Sequence, residues 1–163
     1  MMPLVLAIAA FVSLLNPCGP LSAMDAETFE PASLWHAASP AALDPNPGQR
    51  RAWVLREREI AVDEQILQIL KDATARPHPR VSVEFFDGTA HELDITSTVS
   101  RFNDTAVIRG AFKPPSHGDF TLVASGHLLL GSLRVGERLY KTEHAGNGRI
   151  KLLEVDPRKM PPE

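Results

Sequence analysis

His91-Glu92-Leu93-Asp94-Ile95 opens as the zinc-binding sequence His-Glu-x-x-His does, with an imidazole ligand followed by a carboxylate suited to general-base work. Ile95 occupies the position of the second histidine, and one imidazole cannot hold zinc. The surrounding residues alternate with a period of two, so the segment reads as a strand, which sends successive side chains to opposite faces. His36, His78, His117, His127 and His144 show no ligand spacing. Ser132 lies in Gly131-Ser132-Leu133 and lacks the Gly-x-Ser-x-Gly setting of a hydrolase nucleophile. Cys18 is the only cysteine. Asp87, Asp94 and Asp119 remain as carboxylates for an acid/base pair, but their places at turns and on strand faces favour solvated or turn-capping roles. The expectation is a protein with no catalytic residues, no cofactor and no metal.

The elements that hold these residues are legible from periodicity. Ala52 to Val62 mixes apolar residues with Arg56, Glu57, Arg58 and Glu59, the pattern of a strand with one wet face whose charges discourage edge pairing. Asp63 has the chemistry of an N-cap, and Ile66, Leu67, Ile69, Leu70 and Ala73 then recur at helical spacing, predicting an amphipathic helix of about three turns stopped by Pro77 and Pro79. From Arg80 the period becomes two. Strands are predicted over Arg80–Phe85, Ala90–Val99, Thr105–Phe112, Phe120–Ala124, Leu128–Val135, Arg138–His144 and Arg149–Val155, with turns at Asp87-Gly88 and Asn103-Asp104. Leu128-Leu129-Leu130 breaks the alternation and predicts a strand covered on both faces, or a bulge. The fold class is mainly β with one amphipathic helix, an antiparallel meander closing into a sandwich or open barrel.

Upstream, Leu4 to Leu15 is apolar except for Ser13, which suits a signal-peptide core and is too short for a bilayer of ~30 Å hydrocarbon thickness. Pro17, Gly19 and Pro20 follow, and Ala23 supplies a small residue for cleavage, so residues 1–23 read as a signal peptide and the mature chain as secreted or periplasmic. No Lys or Arg precedes the apolar run, Leu21 is large for its place, and Pro17 fits acylation of Cys18 poorly. Residues 24–49 are rich in Ala, Pro and Ser and predict a loosely docked arm, interrupted by Phe29, Leu34 and Trp35, which either tuck into the domain or meet a partner. The folded domain is expected over residues 50–156, with residues 157–163 as an extended tail.

Composition places the chain among globular domains: 163 residues, 44% hydrophobic and 23% charged, enough to bury a core. A net charge of −3 gives no electrostatic case for nucleic acid or an anionic membrane, and no integral membrane segment is expected after signal removal.

Gly118-Asp119-Phe120-Thr121-Leu122-Val123, Gly131-Ser132-Leu133-Arg134, Arg138-Leu139-Tyr140 and Gly146-Asn147-Gly148, followed by Glu154-Val155-Asp156-Pro157 and Pro161-Pro162-Glu163, resemble in order and spacing the end of a proregion. The family is that of bacterial secreted zinc metalloproteases of the reprolysin-like and peptidyl-Asp types. The likeness covers about residues 50 to 163 and stops where a catalytic domain would start. It implies a non-catalytic interaction domain that assists folding of a zinc endopeptidase, or inhibits it, by noncovalent contact. Asp156, Pro157, Pro161, Pro162 and Glu163 are then the candidate partner-binding residues, because the prolines keep this segment out of any ladder. A plain interdomain linker is the other reading of that tail. The alternative function is a β-rich envelope or extracellular domain that binds a protein or a glycan.

Overall fold

Alternating apolar residues with glycine, asparagine or aspartate between the runs give strands joined by tight turns, and the structure consists mainly of these. The computed structural model describes residues 30–38 and 51–161; the signal-peptide reading of residues 1–23 lies outside them, as does Phe29. The strands are β1 (Ala32–Ser33), β2 (Trp35–Ala37), β3 (Val54–Val62), β4 (Val81–Glu84), β5 (Ala90–Arg101), β6 (Thr105–Phe112), β7 (Gly118–Ser125), β8 (Leu128–Val135), β9 (Arg138–His144) and β10 (Ile150–Val155). One helix, α1 (Glu64–Lys71), follows β3.

From β4 to β10 each strand pairs antiparallel with the next; β10 then pairs with β3, and β3 with β2. At the other end β1 lies parallel to β4, so the sheet is mixed and not antiparallel throughout. Since β1 and β2 are separated only by Leu34, the ten strands curl into a nearly closed barrel. Leu34 bridges the two ends: its amide donates to Ser82 O (2.8 Å) and its carbonyl accepts from Asp63 N (2.9 Å). Leu34 and Trp35 are fully buried. Residues 30–38 are therefore a structural part of the sheet, which corrects the loosely docked arm and the domain start near Arg50. The cause is apolar burial: two large side chains outweigh the weak strand preference of the residues around them.

Inside, Leu93, Ile108, Leu122, Leu129, Leu133 and Leu152 form one core with Phe85, Phe112, Phe120 and Tyr140. β5 carries a bulge between Ile95 and Ser97, opposite Gly110. A Cβ on Gly110 would stand 2.1 Å from Asp94 O, so only glycine lets the strands approach there, and the Phe120 ring covers the gap. Asn103 and Asp104 both have positive φ, the requirement of the tight β5–β6 turn.

The helix begins as expected, with the Asp63 carboxylate accepting from Ile66 N at 3.0 Å. It ends at Lys71, about one turn early, and Ala73 lies outside it. Asp72 is extended and its carboxylate instead accepts from Thr74 N and Oγ1, a local turn that competes with the helix. The Ser100 hydroxyl takes up the Lys71 carbonyl. Leu67 and Leu70 seal one end of the barrel, whereas Ile69 faces solvent.

A second, smaller core lies outside the barrel wall. Val54, Leu153 and Val155 are buried there beneath Trp53, Leu139 and Met160. Leu128-Leu129-Leu130 is not bulged: Leu129 is fully buried in the main core, Leu128 is partly buried against it, and Leu130 is part-exposed.

Candidate functional site

The tail residues singled out from the sequence mark one end of the barrel, opposite the helix. Asp156 leaves the ladder but stays anchored, its amide donating to Trp53 O at 2.8 Å and its carboxylate accepting from Arg158 N at 3.0 Å. Pro157–Lys159 then form a 3-10 turn, not an extended tail. Proline at the first position of the turn costs no hydrogen bond, and Met160 packs on the outer core, so the turn is held from both sides. Pro161 follows, exposed; Pro162 and Glu163 lie outside the described residues.

This turn is one wall of an open cleft of about 420 Å³. The other walls are Leu55 on β3, Glu137 and Arg138 at the β8–β9 turn, and Glu154 with Val155 on β10. Leu55 reaches the cleft because of a bulge: Glu154 pairs with Arg56 and Val155 with Val54, which leaves Leu55 without a partner opposite. Half of its surface is open to solvent.

Charges at this mouth are balanced by mutual pairing. Glu154, nearly buried, accepts from Arg56 Nε at 2.6 Å and stands 4.0 Å from Arg138 Nε. Arg138 also lies 3.6 Å from Asp87. Its hydrogen bond with the Tyr140 hydroxyl, helped by Glu154 and Asp87, pushes the guanidinium further up, while burial pushes the Tyr140 phenol up. Aromatic rings lie beside these charges. Tyr140 stacks on Phe85 with centroids 3.9 Å apart, and Phe86 lies beneath the guanidinium groups of both Arg56 (4.9 Å) and Arg58 (5.3 Å).

The residues weighed for catalysis are scattered. His91 sits in β5, its ring against Phe85 and Phe112 and its Nδ1 2.7 Å from Ser116 Oγ. Glu92 points to the other face, where Arg80 (2.9 Å) and Lys113 (2.7 Å) hold its carboxyl down to about 2. Asp94 and Asp119 both lie level with Ala111, two strands apart, and Asp87 is at the mouth beside Arg138. Among the described residues no three His, Cys, Asp or Glu side chains gather as metal ligands.

The charged run of β3 pairs with β10 on one side, while β2 on the other side reaches only Ile60–Val62 and leaves Arg56, Glu57 and Arg58 without a strand partner there among the described residues. Glu57 meets Lys151 at 3.3 Å and Glu59 meets Arg149 at 3.4 Å on the outside, while Arg56 and Arg58 turn inward to the mouth. Arg138 and Glu154 enter the sequence reading only inside the proregion-like motifs and Leu55 only inside the strand Ala52 to Val62, none of them as a site residue. The one available signal was the inward phase of Arg56 and Arg58, which continues the buried phase of Ile60. Compared with protein-family models, with curated proteins and with solved structures, the chain has no match.

Proposed function

We propose that this protein is a non-catalytic interaction domain that holds a segment of another protein in the cleft at the barrel mouth. The observation that carries this reading is the pairing of an exposed, bulge-directed Leu55 with Arg138 and the Pro157 turn around one open cleft. Apolar anchors beside charged groups that are already oriented suit a peptide chain, since the anchor supplies affinity and the charges supply register. The resemblance of residues 50 to 163 to metalloprotease proregions nominates the partner, a zinc endopeptidase catalytic domain of the same exported origin.

Calorimetric titration of the purified full chain with such a catalytic domain tests it. Saturable binding is expected, weakened by ~10-fold or more in Leu55→Asp, as for loss of an interface anchor. Binding that is unchanged in Leu55→Asp would place the contact elsewhere. No binding to the protease, together with retention on an envelope glycan array, would favour the alternative of a glycan-binding domain.

A further inference from the structure

The outer wall of the barrel carries an apolar strip unrelated to the cleft. Val99 of β5 faces Val107 of β6, Val107 faces Val123 of β7, and Val123 faces Leu130 of β8. With strands ~4.8 Å apart the strip is roughly 14 Å wide. Val99 is 50% exposed, and Phe102, in the turn directly after β5, is 95% exposed. A shallow cavity of about 110 Å³ opens over the Val99–Val107 pair, bordered by Ser97, Arg101 and Arg109.

The charges around this cavity are arranged differently from those at the mouth. Arg101 pairs across with Thr105 and Arg109 with Ser97, so the two guanidinium groups flank the valine pair diagonally, one toward each end of the groove. Among the described residues neither guanidinium has a hydrogen-bond or ion-pair partner, in contrast to Arg56, Arg58 and Arg138. Each arginine is two residues along its strand from a valine, a distance of ~7 Å. An extended peptide lying along the groove repeats its side chains on one face at the same interval. Its complement is an apolar side chain with an acidic residue two positions before and two positions after it.

We propose that this groove docks an extended protein segment of the form acidic-x-apolar-x-acidic. The central side chain seats on Val99 and Val107, the two carboxylates pair with Arg101 and Arg109, and Phe102 shields one end. Charge-assisted pairs with arginine fix the register and direction of such a segment.

The test uses the full chain with methyl-labelled valine and leucine and the synthetic peptide Glu-Thr-Leu-Thr-Glu, followed by nuclear magnetic resonance. Saturable shifts are expected at Val99, Val107 and Val123, and binding at least ~10-fold weaker for a peptide of the same composition with adjacent glutamates, or with lysines in their place. The double reversal Arg101→Glu with Arg109→Glu, both on the outer wall, is expected to transfer the preference to the lysine peptide. Equal binding of ordered and reordered peptides, or no shift with any of them, overturns the proposal. Shifts produced only by vesicles containing anionic phospholipid make the strip a membrane contact and overturn it too. So do concentration-dependent shifts without peptide, which make it an interface between copies of this chain.

Discussion

The indole N–H of Trp35 donates to the main-chain carbonyl of Glu84 at 2.9 Å and so ties β2 to β4, strands from the two ends of the sheet order. The same carbonyl accepts from Arg58 Nη2 at 2.7 Å, so β2, β3 and β4 converge on one oxygen. Short strands that pair weakly by themselves become the seam of the barrel.

Loss of packing at that seam should be costly. Leu34→Ala is expected to lower stability by about 2–5 kcal/mol, as at other fully buried leucines. Ile69→Ala, on the open face of the helix, should change it by less than ~0.5 kcal/mol. Urea unfolding of both variants decides the matter, and equal losses would dissociate Leu34 from closure.

Lys71 should matter through its ammonium group as well as its stem. The nearly buried Nζ donates to Asp104 Oδ2 at 2.8 Å and to Gly126 O at 2.5 Å, linking the helix to two turns. Lys71→Met keeps the stem but leaves the Gly126 carbonyl without this donor, at a cost of about 1–3 kcal/mol. Asp104→Asn should cost under ~1 kcal/mol because that carboxylate is mostly in solvent. Thermal unfolding of the pair tests the order.

Thr142 offers a change in the opposite direction. Its hydroxyl is buried in the barrel without a hydrogen-bond partner among the described residues. Thr142→Val replaces that hydroxyl with a methyl group of similar shape and is expected to raise stability by about 1 kcal/mol. A lower denaturation midpoint for this variant would show that the hydroxyl is satisfied in solution.

Acid should act in part through Glu92. Arg80 and Lys113 hold its carboxyl at about 2, below an ordinary value near 4.5. A depressed folded-state pKa contributes stability that is complete above the ordinary value and is lost as pH falls from about 4.5 through about 2. Glu92→Gln should therefore lower stability at neutral pH and flatten the profile in that window, so that the two proteins converge toward the acid end. Identical acid limbs for the two proteins would remove Glu92 from the account.

Most of the fold is legible in the sequence because neighbouring hairpins announce themselves locally. Asp87-Gly88 and Asn103-Asp104 mark turns, and alternation from Val81 onward marks the strands between them. β1 and β2 are not legible. They have two and three residues, sit in a Pro- and Ala-rich stretch, and owe their conformation to partners in β3 and β4. The helix length was overstated because the Asp72–Thr74 turn, a matter of side-chain competition, leaves no trace in hydrophobic period. At the mouth, Asp156 and Pro157, which the sequence singles out as part of the tail, line the cleft. Leu55 and Arg138 are not singled out as site residues, since a bulge and a turn from distant segments bring them together.

The seam between β3 and β10 gives assembly an order. Arg56 and Glu154 meet across it although they are 98 residues apart, whereas β4 to β10 join only sequence neighbours through short turns. Loop-closure entropy delays the distant pairing until the hairpins have shortened the effective path. Substitutions at the seam should therefore accelerate unfolding and leave the refolding rate almost untouched, a separation that stopped-flow kinetics on Ile60→Ala, whose buried side chain pairs across to Ile150, reads directly. What closes last opens first, and a protease pulse on the native protein should find β3 before it finds any of the hairpins from β4 to β10.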